Sequence, residues 1–182
     1  MLSTILPVQR LRYPLAFIVI AAVASPSTAI ADLPTFKTTK VDPGKSLAGV
    51  KIGASRSVAL KAWGKNCTTI KNKVQNQCVY RAKGDSQERK GSGVVFFSGA
   101  GKVRAVSFTT PVSNPFRAPF TKLKTSKGVG IGSTRDELRS AYPDARTANQ
   151  GLYVEIYTGS MMTQFTVGEG RTTSIYIGPK PF

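Results

Sequence analysis

The chain has 182 residues, a length that fits one ordinary domain or two small ones. Its 26 Lys and Arg residues against 9 Asp and Glu residues give a formal net charge of +17, which favours contact with anionic polymers, anionic membrane surfaces or acidic protein faces. Histidine is absent, which excludes Ser-His-Asp and Cys-His nucleophile systems and removes the commonest metal ligand.

The N-terminal stretch has the pattern of a secretory signal peptide. An apolar run at residues 13–24 follows Arg10 and Arg12, and it is shorter than the ~20 residues needed to span a bilayer. Ala29 and Ala31 fit the small-residue pattern of a signal-peptidase site. We predict cleavage near Ala31 and a secreted or extracytoplasmic protein; the alternative is an uncleaved anchor. Losing two of the 26 basic residues leaves 24 against 9 acidic ones, a net charge of +15, and no transmembrane segment.

One short pattern occurs twice, at a spacing of 79 positions. The first copy, GVKIGASRSVALKAWGKN, begins at Gly49, and the second, GVGIGSTRDELRSAYPDA, begins at Gly128. Each copy has an extended run, a glycine turn and then a hydroxyl residue, Ser55 or Thr134. The hydroxyl oxygen can accept a hydrogen bond from a free backbone amide in the first turn of a helix. In the second copy Glu137 completes a capping box. The predicted helices span residues 56–63 and 135–142.

A second pair of matching segments lies downstream, at a spacing of 69 positions. GAGKVRAV begins at Gly99 and GEGRTTSI begins at Gly168, and strand-like sequence flanks both. Each segment therefore predicts a glycine-turned β-hairpin. The two pairs of matching segments occur in the same order in each half, which indicates a duplicated unit. Because the spacing drops from 79 to 69 positions between the two pairs, the first copy has an insertion of about ten residues. The insertion fits residues 81–93, which are rich in charge, glycine and serine.

The predicted fold is α+β, with two tandem repeats that each pack a short helix on a three- to four-stranded antiparallel sheet. The predicted strands lie near residues 77–81, 94–98 and 103–108 in the first repeat, and 152–158, 161–167 and 172–178 in the second. The corresponding segments are a signal peptide at 1–31, an N-terminal arm at 32–46, repeat one at 47–108, a proline-rich extended linker at 109–126 and repeat two at 127–182.

The two cysteines, Cys67 and Cys78, are 11 residues apart and flank a polar stretch. In an exported chain this spacing favours a structural disulfide over a redox site. Two thiols without any histidine leave too few soft ligands for a metal, so we expect neither a metal nor another cofactor.

The helix-start pattern, the cysteine pair after the first helix and the glycine-turned hairpin together resemble the tandem-repeat fold of β-lactamase inhibitory protein. Small outer-membrane assembly lipoproteins share that fold more loosely, but their lipid-bearing cysteine is missing here. Secreted bacterial proteins of unassigned function carry a similar helix-start signature. The resemblance covers about residues 47–108 and 127–178 and implies a protein-binding role.

In the inhibitor family, a loop after the disulfide-bonded strand places an aspartate in the enzyme's active-site cleft. The matching residue here is Asp85, seven residues after Cys78. The loop departs from the family because it has no aromatic anchors. An ordinary solvated loop is the alternative interpretation. The candidate interaction residues of this loop are Arg81, Lys83, Asp85, Glu88, Arg89 and Lys90.

Three tyrosines form a second candidate surface. Tyr153 and Tyr157 alternate with aliphatic residues on one strand, as Tyr176 does on another, so they fall on the opposite sheet face from the aliphatic side chains. If the aliphatic side chains meet the helix, the tyrosines form an aromatic platform on the open face. The alternative is that they pack against the other repeat.

No residue pattern predicts catalysis. The carboxylates show no spacing typical of a paired acid–base site, and the glycine pairs lack a phosphate-loop pattern. We therefore predict a noncatalytic binding module that acts in protein recognition and enzyme inhibition. The alternative is electrostatic association with anionic cell-wall polymers or a membrane surface. Nucleic acid is not expected, because the Lys and Arg residues are scattered and a secreted protein seldom meets it.

Overall fold

The computed structural model describes residues 33–73, 76–81, 91–112 and 114–180. The strands in these ranges are β1 Lys40–Asp42, β2 Ser46–Leu47, β3 Val50–Lys51, β4 Thr68–Lys71, β5 Asn76–Arg81, β6 Ser92–Phe97, β7 Val103–Thr109, β8 Lys124–Thr125, β9 Arg146–Ala148, β10 Tyr153–Thr158, β11 Met161–Gly168 and β12 Arg171–Gly178. The helices are α1 Arg56–Trp63 and α2 Arg135–Ala141, with short 3-10 turns at Phe120–Lys122 and Asn149–Gly151.

Two sheets organise these elements. The main sheet has eight antiparallel strands in the order β4-β5-β6-β7-β12-β11-β10-β9. A small sheet has the order β3-β2-β1-β8, in which β1 and β8 run parallel. The predicted α+β class is confirmed, and the six predicted strands lie within two residues of observed ones.

The helix starts follow the sequence closely, with one difference. Thr134 accepts from the Glu137 amide at 3.2 Å while Glu137 Oε2 accepts from the Thr134 amide at 2.8 Å, so the predicted capping box is confirmed. Ser55 also stands at the N-cap of its helix, but its side chain makes no capping hydrogen bond. Its hydroxyl lies 3.0 Å from that of Ser57 instead.

The strands that follow the two helices join into one continuous eight-stranded sheet; the sequence predicted three to four strands for each repeat and left open whether the repeats share a sheet. The junction is the antiparallel pairing of β7 with β12, which sets Ile175 opposite Phe108 and Ile177 opposite Val106. All four side chains are fully buried. Separate sheets would leave these long apolar strands as exposed edges, which are prone to pair with other chains.

The core lies on one face of the main sheet, beneath the helices and the small sheet. Trp63 of α1 donates from its indole nitrogen to the Ala48 carbonyl at 3.1 Å, and its ring packs edge-on against Tyr80 of β5. Phe108 of β7 packs between Phe36 and Phe120, with centroid distances of 5.2 Å to each. This layer fixes which face of the sheet is covered.

The opposite face has side chains that are mostly half-buried or exposed, and we call it the open face. It is formed by the alternate residues of the main sheet, among them Ser92, Ser107, Thr109, Tyr153, Glu155, Tyr157, Gln164, Thr166, Ser174 and Tyr176. The alternation follows from the period of two in a β-strand.

The segment between the two groups of strands differs from the predicted extended linker. Phe120 and Leu123 of residues 109–126 are buried in the core, and β8 of the same segment pairs with β1. The N-terminal arm likewise contributes β1 and the buried Leu33. Composition suggested an extended chain because of the prolines, but burial of the apolar side chains decides the path.

The predicted disulfide is confirmed: Cys67 and Cys78 are bonded, with their Cα atoms 5.5 Å apart. It ties the chain after α1 to β5, next to the edge strand β4. Neither of the two described α-helices is long and apolar enough to cross a membrane. The predicted signal peptide at residues 1–31 lies outside the described residues.

Replacing Gly93 by alanine should destabilise the fold, because a Cβ there would lie 2.8 Å from Trp63 Cζ3 and 2.5 Å from Pro34 Cγ. Such overpacking costs about 1–3 kcal/mol of unfolding free energy. The matched control is Gly99→Ala, whose Cβ would meet nothing within 4 Å; we expect a change within about 0.5 kcal/mol. Urea denaturation of both variants measures the difference, and equal stabilities would contradict this packing of Trp63.

Candidate functional site

The open face contains a buried acid, Glu155, in the middle of β10. Its side chain is only 5% exposed. The Tyr157 hydroxyl donates to Glu155 Oε2 at 2.7 Å, and Gln164 Nε2 donates to Glu155 Oε1 at 3.2 Å. Both carboxylate oxygens therefore accept hydrogen bonds, which offsets the cost of removing the charge from water.

The strand register brings these groups together. Glu155 lies opposite Gln164 of β11 on one side and opposite Arg146 of β9 on the other. Directly opposed side chains in antiparallel strands are about 5 Å apart at Cβ, close enough to interact. Tyr157 follows Glu155 by two residues and so shares its face. We call Arg146, Glu155, Tyr157 and Gln164 the Glu155 cluster.

Tyr157 combines an exposed ring with an anchored hydroxyl. The side chain is 45% exposed, yet its hydroxyl is held by Glu155. That hydrogen bond raises the pKa of Tyr157, because it stabilises the protonated phenol beside a carboxylate; the charge of Arg146 lowers it in part. The phenol therefore stays protonated and the ring keeps one orientation at the surface.

Tyr176 lies on the same face, opposite Gln164 on one side and Ser107 on the other. Its hydroxyl donates to the Pro179 carbonyl at 2.7 Å. Burial raises the pKa of Tyr176, and the nearby charge of Arg104 lowers it in part. The ring is half-buried and belongs to the floor of the face more than to its outer surface.

A row of hydroxyl side chains crosses the open face from strand to strand. We call this set the hydroxyl row; its members, in order from β10 to β6, are Tyr153, Thr166, Ser174, Thr109 and Ser92. The Thr109 and Ser174 hydroxyl oxygens are 3.0 Å apart. Arg81 of β5 extends the row by one strand, so that it spans about 24 Å at the usual strand spacing.

The three tyrosines named from the sequence thus lie on the open face, opposite the aliphatic side chains that fill the core. Of the candidate loop residues, Arg81 is exposed at the end of β5. Lys83, Asp85, Glu88, Arg89 and Lys90 lie outside the described residues.

The layer formed by the helices and the small sheet carries several exposed cations. Exposed cations of this layer are Lys40, Lys51, Lys61, Arg135 and Arg139. Among the residues that the structure describes, one ion pair is found: Lys40 Nζ lies 3.0 Å from Asp42 Oδ1. The same layer carries the carboxylates of Asp42, Asp136 and Glu137, which compensate part of this charge.

Two half-open clefts border these surfaces. One of about 310 Å³ lies between residues 33–36 and 117–120, and one of about 220 Å³ lies where Thr109 and Thr173 meet Val112. Within the described ranges, no three Cys, Asp or Glu residues lie close enough to hold a metal ion. The chemistry available on the open face is therefore hydrogen bonding, aromatic stacking and attraction of anions.

Sequence reasoning missed Arg146, Gln164 and four members of the hydroxyl row, Ser92, Thr109, Thr166 and Ser174. Glu155 was visible between two tyrosines, but its partners come from strands whose register the chain does not show locally. Alternation of polar and apolar residues in 161–167 was the available signal for Gln164 and Thr166.

Comparisons with known proteins add one structural likeness. No protein-family model matches the chain, and no curated protein matches it. Among solved structures, it is similar to a DUF4309 family protein, YjgB, from Bacillus subtilis subsp. subtilis str. 168, with 12% identity over 75% of this chain and 88% of that chain and a TM-score of 0.44. This is a different likeness from the inhibitor resemblance of the sequence, which stays a prediction, and it says nothing of what this chain binds.

Replacing Glu155 by glutamine should lower the pKa of Tyr157, because the carboxylate that disfavours the phenolate is lost. The pKa of Tyr176 should stay the same, because burial, and not Glu155, is the main reason that it is raised. Nuclear magnetic resonance of tyrosine labelled with ¹³C at Cζ resolves each phenol during an alkaline titration. An unchanged Tyr157 pKa would mean that Glu155 does not hold the hydroxyl in solution.

Proposed function

We propose that this chain is an exported, noncatalytic binding module that associates with an anionic polymer of the cell envelope. The observation that carries the proposal is the excess of positive charge: once Arg10 and Arg12 leave with the signal peptide, 24 Lys and Arg residues stand against 9 Asp and Glu residues, a net charge of +15. Such a surface raises the local concentration of polyanions and speeds their association.

Export is supported by the disulfide and by the signal-like N-terminal sequence. Bonds such as Cys67–Cys78 persist in oxidising compartments and are rare in the cytosol. The apolar run at residues 13–24 and the alanines after it have the order of a cleavable secretory signal.

The noncatalytic assignment is supported by the residues present. The sequence has no histidine, the residue most often used as a general base. Glu155 is the buried carboxylate of the described ranges, and both its oxygens accept hydrogen bonds from neutral side chains. A carboxylate held in this way orients Tyr157 and Gln164.

We also infer that the two halves descend from one duplicated unit. The Gly53 amide donates to the Val103 carbonyl at 2.8 Å, and the Gly132 amide donates to the Thr172 carbonyl at 2.9 Å. The glycines are 79 positions apart and their strand partners 69, the two spacings of the sequence repeats. Four strands of the main sheet follow each helix. These parallels support the resemblance to the tandem-repeat inhibitor fold.

Protein recognition is the second candidate function, and the exposed, oriented ring of Tyr157 favours it, because such tyrosines often anchor interfaces. It ranks second because the large apolar side chains that are exposed in the described ranges are scattered over different parts of the fold. They are Val58, Val112, Leu152 and Tyr157. A tight interface clusters its anchors. Enzyme inhibition through Asp85 belongs to this candidate.

Binding of the exported chain, residues 32–182, to an immobilised polyanion should weaken steeply between about 0.1 and 1 M salt, over which the Debye length falls from about 10 to about 3 Å. Replacing Lys61 and Arg139 by alanine, in the helical layer, should lower the affinity further at low salt. Surface plasmon resonance with polyphosphate and polygalacturonate measures both effects. Salt-resistant retention of one protein from an envelope extract, with no polyanion binding, would replace this proposal by the second.

A further inference from the structure

We propose that the open face is a saccharide-binding platform, on which a glycan chain bearing acidic groups stacks a sugar ring on Tyr157 and hydrogen-bonds the Glu155 cluster and the hydroxyl row. This inference rests on the proposed function, since an acidic glycan is one class of anionic polymer. It adds a location and a chemistry that net charge alone does not supply.

Tyr157 meets the first requirement of a sugar platform, an exposed aromatic ring in a fixed orientation. Its hydroxyl is anchored to Glu155 at 2.7 Å while nearly half of the side chain faces solvent. A ring that is already oriented loses little conformational freedom on binding, so more of the contact energy appears as affinity. Tyr153, four residues earlier on the same strand and face, lies about 14 Å away.

Other groups on the same face as Tyr157, from Gln164 to the hydroxyl row that starts at Tyr153, meet the second requirement, an array of donors and acceptors. Gln164 carries an amide, and the hydroxyl row supplies groups that both donate and accept. Sugars present hydroxyls of the same kind along a chain. The row runs about 24 Å from Tyr153 to Arg81, which suits an extended oligomer more than a small molecule.

The charges of this face explain why the glycan would be acidic. Arg146 lies opposite Glu155, and the charge of Arg104 acts on Tyr176. The one carboxylate among them, Glu155, is buried and is outnumbered by the two guanidinium groups. The face is therefore complementary to a polymer that combines neutral hydroxyls with acidic groups.

The side chains that are exposed on the open face argue against an apolar ligand. Tyr157 is the large apolar side chain of the open face that is well exposed, and Met162 opposite it is buried. An apolar helix or a protein core patch would find few contacts here beyond this ring. Hydrogen bonding supplies most of what the face offers.

The test compares three polymers on the exported chain: polygalacturonate, which has sugar rings and charge, polyphosphate, which has charge alone, and dextran, which has sugar rings alone. We expect Tyr157→Ala to weaken polygalacturonate binding about tenfold and polyphosphate binding less than twofold. Tyr157→Phe, which keeps the ring and loses its anchor, should fall between. Dextran should bind more weakly than polygalacturonate.

Two further variants guard against a folding artefact. Thr109→Val removes one hydroxyl of the row with little change in volume and should weaken polygalacturonate binding alone. Tyr142→Ala, in the helical layer where Lys127 covers the ring at 4.5 Å, is the matched tyrosine control and should leave the preference for polygalacturonate unchanged. Circular dichroism and urea unfolding confirm that each variant is folded before its binding is compared.

The failures of the two proposals are distinguishable. Equal loss of polyphosphate and polygalacturonate binding in Tyr157→Ala, or no loss in either, would overturn the platform and leave the polyanion module intact. Wild-type protein that binds neither polyanion would overturn the proposed function itself. Dextran bound as tightly as polygalacturonate would overturn the acidic part of the inference.

Discussion

The antiparallel pairing of β7 with β12 is the constraint on which the rest of the structure depends. It sets the fully buried Ile175 and Ile177 against Phe108 and Val106, and it joins the strands after both helices into one sheet. Because both halves then share one sheet plane, both helices cover the same face and share one core. The opposite face becomes a single surface across eight strands, with no seam between the halves.

The two sides of the main sheet have different chemistry as a result. The helical layer carries exposed charged side chains, mostly Lys and Arg, whereas the open face carries hydroxyls, an amide and tyrosines. Long-range attraction of an anion does not require contact, but hydrogen bonding does. One molecule can therefore gather a polyanion through its overall charge and hold it through the face where short-range contacts are available.

Glu155 links the stability of this face to its recognition chemistry. A buried carboxylate costs free energy unless it is hydrogen-bonded, and its partners here are Tyr157 and Gln164. The same bonds that make the burial tolerable fix the orientation of the side chains that a ligand would meet. Removing the acid would release both groups, so the cluster behaves as one unit and its members would not contribute additively.

The sequence by itself determined the local elements: both helices with the Thr134 capping box, the six main strands and the cysteine pair. These depend on contacts between near neighbours and on periodicity. Only the tertiary structure decided the single sheet, the short strands β1–β4, β8 and β9, and the Glu155 cluster. Register couples residues far apart in the chain, as in the contact of Thr109 with Ser174, and no local pattern encodes which strand lies beside which.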